Sequence, residues 1–110
     1  MYTPIFLSTE NQLNKVLRKQ KKYNHRLSIL FVSLWDKESM NLIEGLKRRI
    51  ATDSMYNKEQ SKDLYISNSF VMPHSFVIFK TFKIPALVNL FKDSMRCEDY
   101  LPKIYEELGL

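Results

Sequence analysis

Alternation of strand-like and helix-like segments along one 110-residue chain predicts an α/β domain: a central mixed sheet of four or five strands with helices on both faces. Three observations carry the prediction. Leu27 to Leu34, LSILFVSL, is an uncharged run of large apolar residues broken only by Ser28 and Ser33, which reads as a strand covered on both faces. Directly after it, Leu42, Ile43, Leu46 and Ile50 fall at helical spacing, with Ser39 on the same stripe. Further strand-like runs, DLYISNSF at 63–70 and ALVNLF at 86–91, return after each polar or helical stretch.

The elements follow in order. Thr3 to Leu7 is a short strand with Ile5 and Leu7 on one face and Phe6 on the other. Thr9 stands three residues before Gln12, a capping-box spacing that opens a helix over Thr9 to Lys22. Leu13, Val16 and Leu17 form its apolar stripe, and a basic run occupies the other side. Tyr23 to Arg26 is a polar link into the central strand. Asp36 then caps the second helix, where a carboxylate takes orphan N–H groups and meets the positive end of the dipole. Lys47, Arg48 and Arg49 crowd the helix's last turn, where cations suit the dipole.

Ala51 to Lys62 is polar, either a fraying helix end or a loop. Asp63 to Phe70 follows as a strand with Leu64, Ile66 and Asn68 on one side and Tyr65 and Ser67 on the other. Pro73 suits the first turn of a short helix reaching Lys80, although the β-branched Val77 and Ile78 leave a strand open there. Ile84-Pro85 leads into the next apolar strand, which ends at the turn-like Lys92-Asp93-Ser94. Ser94 to Cys97 forms a short edge strand, and Asp99 caps a last helix with Pro102 in its first turn and Ile104, Tyr105 and Leu108 on its apolar side.

Composition bounds the rest. Residues 1–110 make one domain, and 45% hydrophobic against 26% charged residues are enough for a packed core. No segment reaches the ~18 apolar residues of a membrane span. The start, MYTPIFLSTEN, has no basic n-region followed by a long apolar run, so a cytoplasmic protein is expected. Cys97 is the only cysteine, which rules out an internal disulfide and a thiolate zinc cluster. His25 and His74 are far apart and show no ligand spacing, so neither a metal nor a cofactor is expected. The net charge of +5 is concentrated in Lys15, Arg18, Lys19, Lys21, Lys22 and Arg26. Such a run is either the solvated face of a helix or a surface for an anionic partner, with Lys15, Arg18, Lys19, Lys22 and Arg26 as the candidate face.

Element order and three local features resemble the thioredoxin-like family over nearly the whole chain. The buried strand ends at Trp35 directly before a turn and a helix, where thioredoxins carry Trp-Cys-Gly-Pro-Cys and this chain reads Trp35-Asp36-Lys37-Glu38-Ser39. The segment FKTFKIPALVNLF resembles the family's cis-proline region, with Ile84-Pro85 at the matching place. The chain closes on a strand-like segment and an amphipathic helix.

The departures bear on function. Asp36 and Ser39 stand where the redox cysteines would be, and neither can run thiol–disulfide exchange, which needs an attacking thiolate and a resolving thiol. Leu30 replaces the buried acid that many thioredoxins use for proton transfer, and no glycine stands in the Lys92-Asp93-Ser94 turn. No catalytic residue is expected. Ser39 has no histidine base with an orienting acid at a telling spacing, Asp36 and Glu38 form no acid pair, and Cys97 has no adjacent histidine. Phe70, Phe76, Phe79 and Phe82 read as core and groove lining.

The resemblance implies a redox-inactive thioredoxin-like protein that binds a protein partner as an accessory subunit of a larger assembly. Lys-, Asn- and Ile-rich usage suits a bacterial, phage or mobile-element origin. In this family the turn before the second helix and the proline loop lie side by side, so Trp35, Asp36, Lys37, Ile84 and Pro85 are the candidate partner groove. Two other readings stand beside it: a nucleic-acid-associated module using the basic first helix, and a thiol enzyme pairing Cys97 with a partner's cysteine.

Overall fold

A computed structural model of the chain describes residues 2–23, 25–52, 61–68, 83–92 and 94–110. The expected helix from Pro73 to Lys80, the end of the expected strand at Ser69 and Phe70, and Phe76, Phe79 and Phe82 lie outside the described residues. Five strands and three helices are described: β1 (Tyr2–Leu7), α1 (Glu10–Tyr23), β2 (Leu27–Val32), α2 (Lys37–Thr52), β3 (Lys62–Asn68), β4 (Ala86–Phe91), β5 (Ser94–Glu98) and α3 (Leu101–Glu107).

The strands form one mixed sheet in the order β1-β3-β2-β4-β5. β3 lies between β1 and β2 and runs parallel to both, with Ile5 opposite Tyr65 and Ile29 also opposite Tyr65. β4 is antiparallel to β2, and β5 is antiparallel to β4. β2 is thus an inner strand with a neighbour on each side, which is why its sequence has no charged residue.

Alternate residues of the inner strands feed two cores, one on each face. Leu30, Val32, Leu64, Ile66 and Leu87 meet Leu42, Ile43 and Leu46 of α2 and Ile104 and Leu108 at the C-terminal helix. On the other face Ile29, Phe31, Ala86 and Val88 meet Leu13 of α1, with Val16 and Leu17 packed against them. Helices therefore cover both faces of a five-stranded sheet. Gly45 sits where a Cβ would stand 3.4 Å from Leu110, so the last residue packs closely onto α2. Gly109 has φ +72°, a left-handed residue just beyond α3 that lets the chain turn back toward α2.

Capping at α1 follows its sequence signal with one shift. Gln12 N donates to Thr9 Oγ1 (3.2 Å), but the Gln12 side chain accepts from Ser8 N (2.7 Å) and not from the backbone of Thr9 itself. Two expectations are corrected. β2 ends at Val32, and Leu34 is 52% exposed, because Ser33 begins a turn whose carbonyl accepts from Asp36 N at 3.0 Å. Asp99 does not cap α3: the N-cap is Tyr100, without a side-chain cap bond, and its N–H goes back to Glu98 Oε1 at 3.0 Å.

Candidate functional site

The turn between β2 and α2 is held by a closed set of hydrogen bonds among Ser33, Trp35, Asp36 and Ser39. Asp36 Oδ2 accepts both the backbone N–H of Ser39 (3.0 Å) and its hydroxyl (2.8 Å). Ser39 Oγ accepts in turn from Ser33 N (3.3 Å), and Ser33 Oγ accepts from Trp35 N (3.3 Å). Asp36 O takes Met40 N (3.0 Å), starting the helix ladder. The two positions that would carry redox cysteines are thus joined by a carboxylate–hydroxyl bond, which is stronger than one between neutral groups.

This arrangement constrains the chemistry. Ser39 is fully buried, its proton is directed at Asp36, and its oxygen is already an acceptor, so it is not placed to attack a substrate. Leu30 is also fully buried, in an apolar core, so no proton relay runs from the strand to the turn. Cys97 is an exposed residue of β5; it pairs with Val88, which pairs with Ile29, so it lies two strands from β2 and level with that strand's middle. Partial desolvation, then the carboxylates of Asp99 and Glu98, push the Cys97 thiol above its ordinary range. A thiol held protonated is a poor nucleophile at neutral pH. No group of three or more His, Cys, Asp and Glu side chains among the described residues could hold a metal ion, and His74 lies outside them.

Trp35 lies at the tip of the turn and is 83% exposed, the most open large hydrophobic side chain among the described residues. Lys37, the first residue of α2, is exposed, while Asp36 is half-buried. The Ile84–Pro85 peptide is cis. Phe31 pairs with Ala86, so Ile84 and Pro85, just before β4, lie beside the segment just after β2. Ile84 is half-buried and Pro85 buried. The five candidate groove residues therefore lie at the same end of the sheet.

The basic residues are a different matter. Lys15, Arg18, Lys19, Lys22 and Arg26 are all exposed. Arg26 has left the helix and stands 4.9 Å over the ring of Phe91 in β4, while Lys22 is 5.4 Å over Tyr23. Arg18, with Asn14, Leu17 and Lys21, lines an open depression on α1.

Two features were not singled out from sequence. Ser33 organises the turn, and Ser28 starts a polar chain at the other end of β2: Ser28 Oγ donates to Asn89 Oδ1 (2.6 Å), Asn89 Nδ2 to Glu107 Oε2 (3.4 Å), and Glu107 pairs with Arg96 (3.3 Å). The available signal was that these are the only two polar residues in the otherwise apolar run Leu27 to Leu34, since polar groups in such positions take partners.

No family model matches the sequence. No curated protein matches it either. Solved structures do match in shape. Thioredoxin h from Nicotiana alata superposes with a TM-score of 0.72 at 10% identity, covering 96% of this chain and 90% of that one. Thioredoxin O2 from Arabidopsis thaliana gives 0.68 at 14% identity, covering 96% and 91%. Thioredoxin from Schistosoma mansoni gives 0.67 at 11% identity, covering 97% and 94%. At such identities the likeness is one of fold. This chain has the thioredoxin fold, and with Cys97 as its only cysteine it has no CxxC pair.

Proposed function

We propose that the protein is a redox-inactive thioredoxin-like accessory subunit that binds a protein partner at the groove between the Ser33–Asp36 turn and the Ile84–Pro85 segment. The observation that carries this is Trp35: a large aromatic left 83% exposed on a turn that hydrogen bonds hold on both sides. Exposing such a side chain forgoes about 1.5–3 kcal/mol of burial, and a preorganised aromatic is the kind of anchor that dominates interface energy. The backbone beside Pro85 would meet an extended partner segment as an added strand meets a sheet edge. Loss of the cysteines removes the exchange chemistry and leaves the groove. A place in a larger bacterial, phage or mobile-element assembly fits the composition.

Capture of partners from the native host tests this. Trp35→Ala and Asp36→Arg are each expected to abolish capture, while reversal of charge at Lys15, Lys19 and Lys22 together leaves it intact. Capture that survives the groove changes and fails with the charge reversal would move the site to α1, and an anionic partner there would show strong salt dependence. The redox half has its own test. The protein is expected to reduce insulin disulfides with dithiothreitol no faster than dithiothreitol alone. A rate near that of a CxxC thioredoxin would sink the redox-inactive reading.

A further inference from the structure

The two edges of the sheet are protected differently. β1 carries Pro4 in its middle, a residue that blocks strand addition. β5 has no proline and no lysine, and Ser94, Met95, Arg96 and Cys97 are all exposed. In the β4–β5 hairpin Phe91 faces Ser94 across a two-residue loop. The pair that closes such a loop is hydrogen-bonded and the pattern alternates. Ser94, Arg96 and Glu98 therefore turn their backbone groups toward β4. Met95 and Cys97 turn theirs to the open edge.

We propose that this edge pairs with β5 of a second copy, antiparallel, about a two-fold axis through Cys97. The register follows from charge. With Cys97 opposite Cys97 of the partner copy, Arg96 of each chain faces Glu98 of the other, twice, in the non-hydrogen-bonded positions where side chains approach most closely. An axis through Arg96 would oppose two arginines, and one through Glu98 two glutamates; one through Met95 would set Arg96 against Ser94. Of these registers only the one through Cys97 pairs opposite charges; it also sets the outward backbone groups of Cys97 against those of its copy, with Met95 facing Asp99 just beyond the strand.

Both side chains are ready for the contact. Arg96 is held by Glu107 at 3.3 Å, which leaves further guanidinium donors, and Glu98 uses Oε1 for Tyr100 N, leaving Oε2. The strongly basic run lies on α1, whereas Ser94 to Leu110 holds two basic and four acidic residues, so the net charge does not oppose association at this edge. The product is one continuous ten-stranded sheet with the Cys97 pair at its centre.

Sedimentation equilibrium on the full chain, from about 1 µM to about 1 mM, covers the range expected for so small an interface. A reversible dimer is expected. Glu98→Arg sets two arginines against each other and is expected to weaken the dimer by about tenfold or more. The double charge swap Arg96→Glu with Glu98→Arg is expected to restore it. Circular dichroism checks that each variant is folded. Treatment of the unaltered chain with diamide, which takes two electrons and two protons from the facing thiols, is expected to yield a Cys97–Cys97 dimer, since hydrogen-bonded antiparallel pairs sit about 5.5 Å apart at Cα, within disulfide reach. A monomer at every concentration with no crosslink overturns the proposal. So does a dimer that Glu98→Arg leaves unchanged or that the double swap fails to rescue.

Discussion

α1 and α2 begin with the same device and put it to different use. At each start an oxygen-bearing side chain accepts the backbone N–H three residues on: Thr9 from Gln12 at 3.2 Å, Asp36 from Ser39 at 3.0 Å. At α1 every participant is exposed, and the second bond, Ser8 N to Gln12, also lies in solvent. At α2 the partner residue is fully buried, its hydroxyl adds a bond to the cap, and its oxygen reaches back to the end of β2. Water replaces a lost bond at the first site and cannot at the second. The difference teaches that a cap signal tells where a helix begins, while burial decides how firmly the preceding turn is held. Trp35 sits in the firmly held one.

The largest contrast should come from the residue three positions after each cap. Ser39→Leu forces a larger side chain into a filled core, removes the hydroxyl bond to Asp36 and takes the acceptor from Ser33 N, with an expected loss of about 3 kcal/mol. Gln12→Leu at the exposed counterpart is expected to change stability by no more than about 0.5 kcal/mol. Urea unfolding of both variants measures the gap, and equal losses would break the comparison.

The caps themselves come next. Asp36→Ala is expected to cost about 2 kcal/mol and Thr9→Ala about 1 kcal/mol, the range spanned by helix caps of different burial. Trp35 is the only tryptophan, so its fluorescence anisotropy reports the turn directly. Anisotropy should fall in Asp36→Ala and stay unchanged in Thr9→Ala. A fall in both would mean that Trp35 senses global fraying and not its own turn. The smallest effect is expected for Gln12→Ala, at or below about 0.5 kcal/mol, because water takes the place of its bond to Ser8 N.

Much of the local structure was legible because its causes lie within four residues of each other. The stripe of Ser39, Leu42, Ile43 and Leu46 emerges as the buried face of α2, and Leu13 with Val16 and Leu17 as that of α1. Two boundaries were not legible for a related reason. Leu34 continues the apolar pattern of β2, yet a backbone bond from Asp36 to Ser33 ends the strand first. Asp99 has the right residue type for a cap, yet Tyr100 takes the N-cap position, its N–H held by Glu98. In both cases hydrogen bonds to a neighbour outcompeted a correct intrinsic preference.

By itself the sequence determined the alternating elements, the replacement of a cysteine pair by Asp36 and Ser39, and the impossibility of an internal disulfide, since each depends on residue type or short-range period. Tertiary structure alone decided the strand order, with β3 between β1 and β2, and the placing of the segment after β2 and the segment before β4 at one end of the sheet. It also decided that Ser28, Asn89, Glu107 and Arg96 form one chain of polar contacts, although up to 79 positions separate them. Such partners are chosen by how helices and strands pack across the whole core, and that competition leaves no short-range pattern to read.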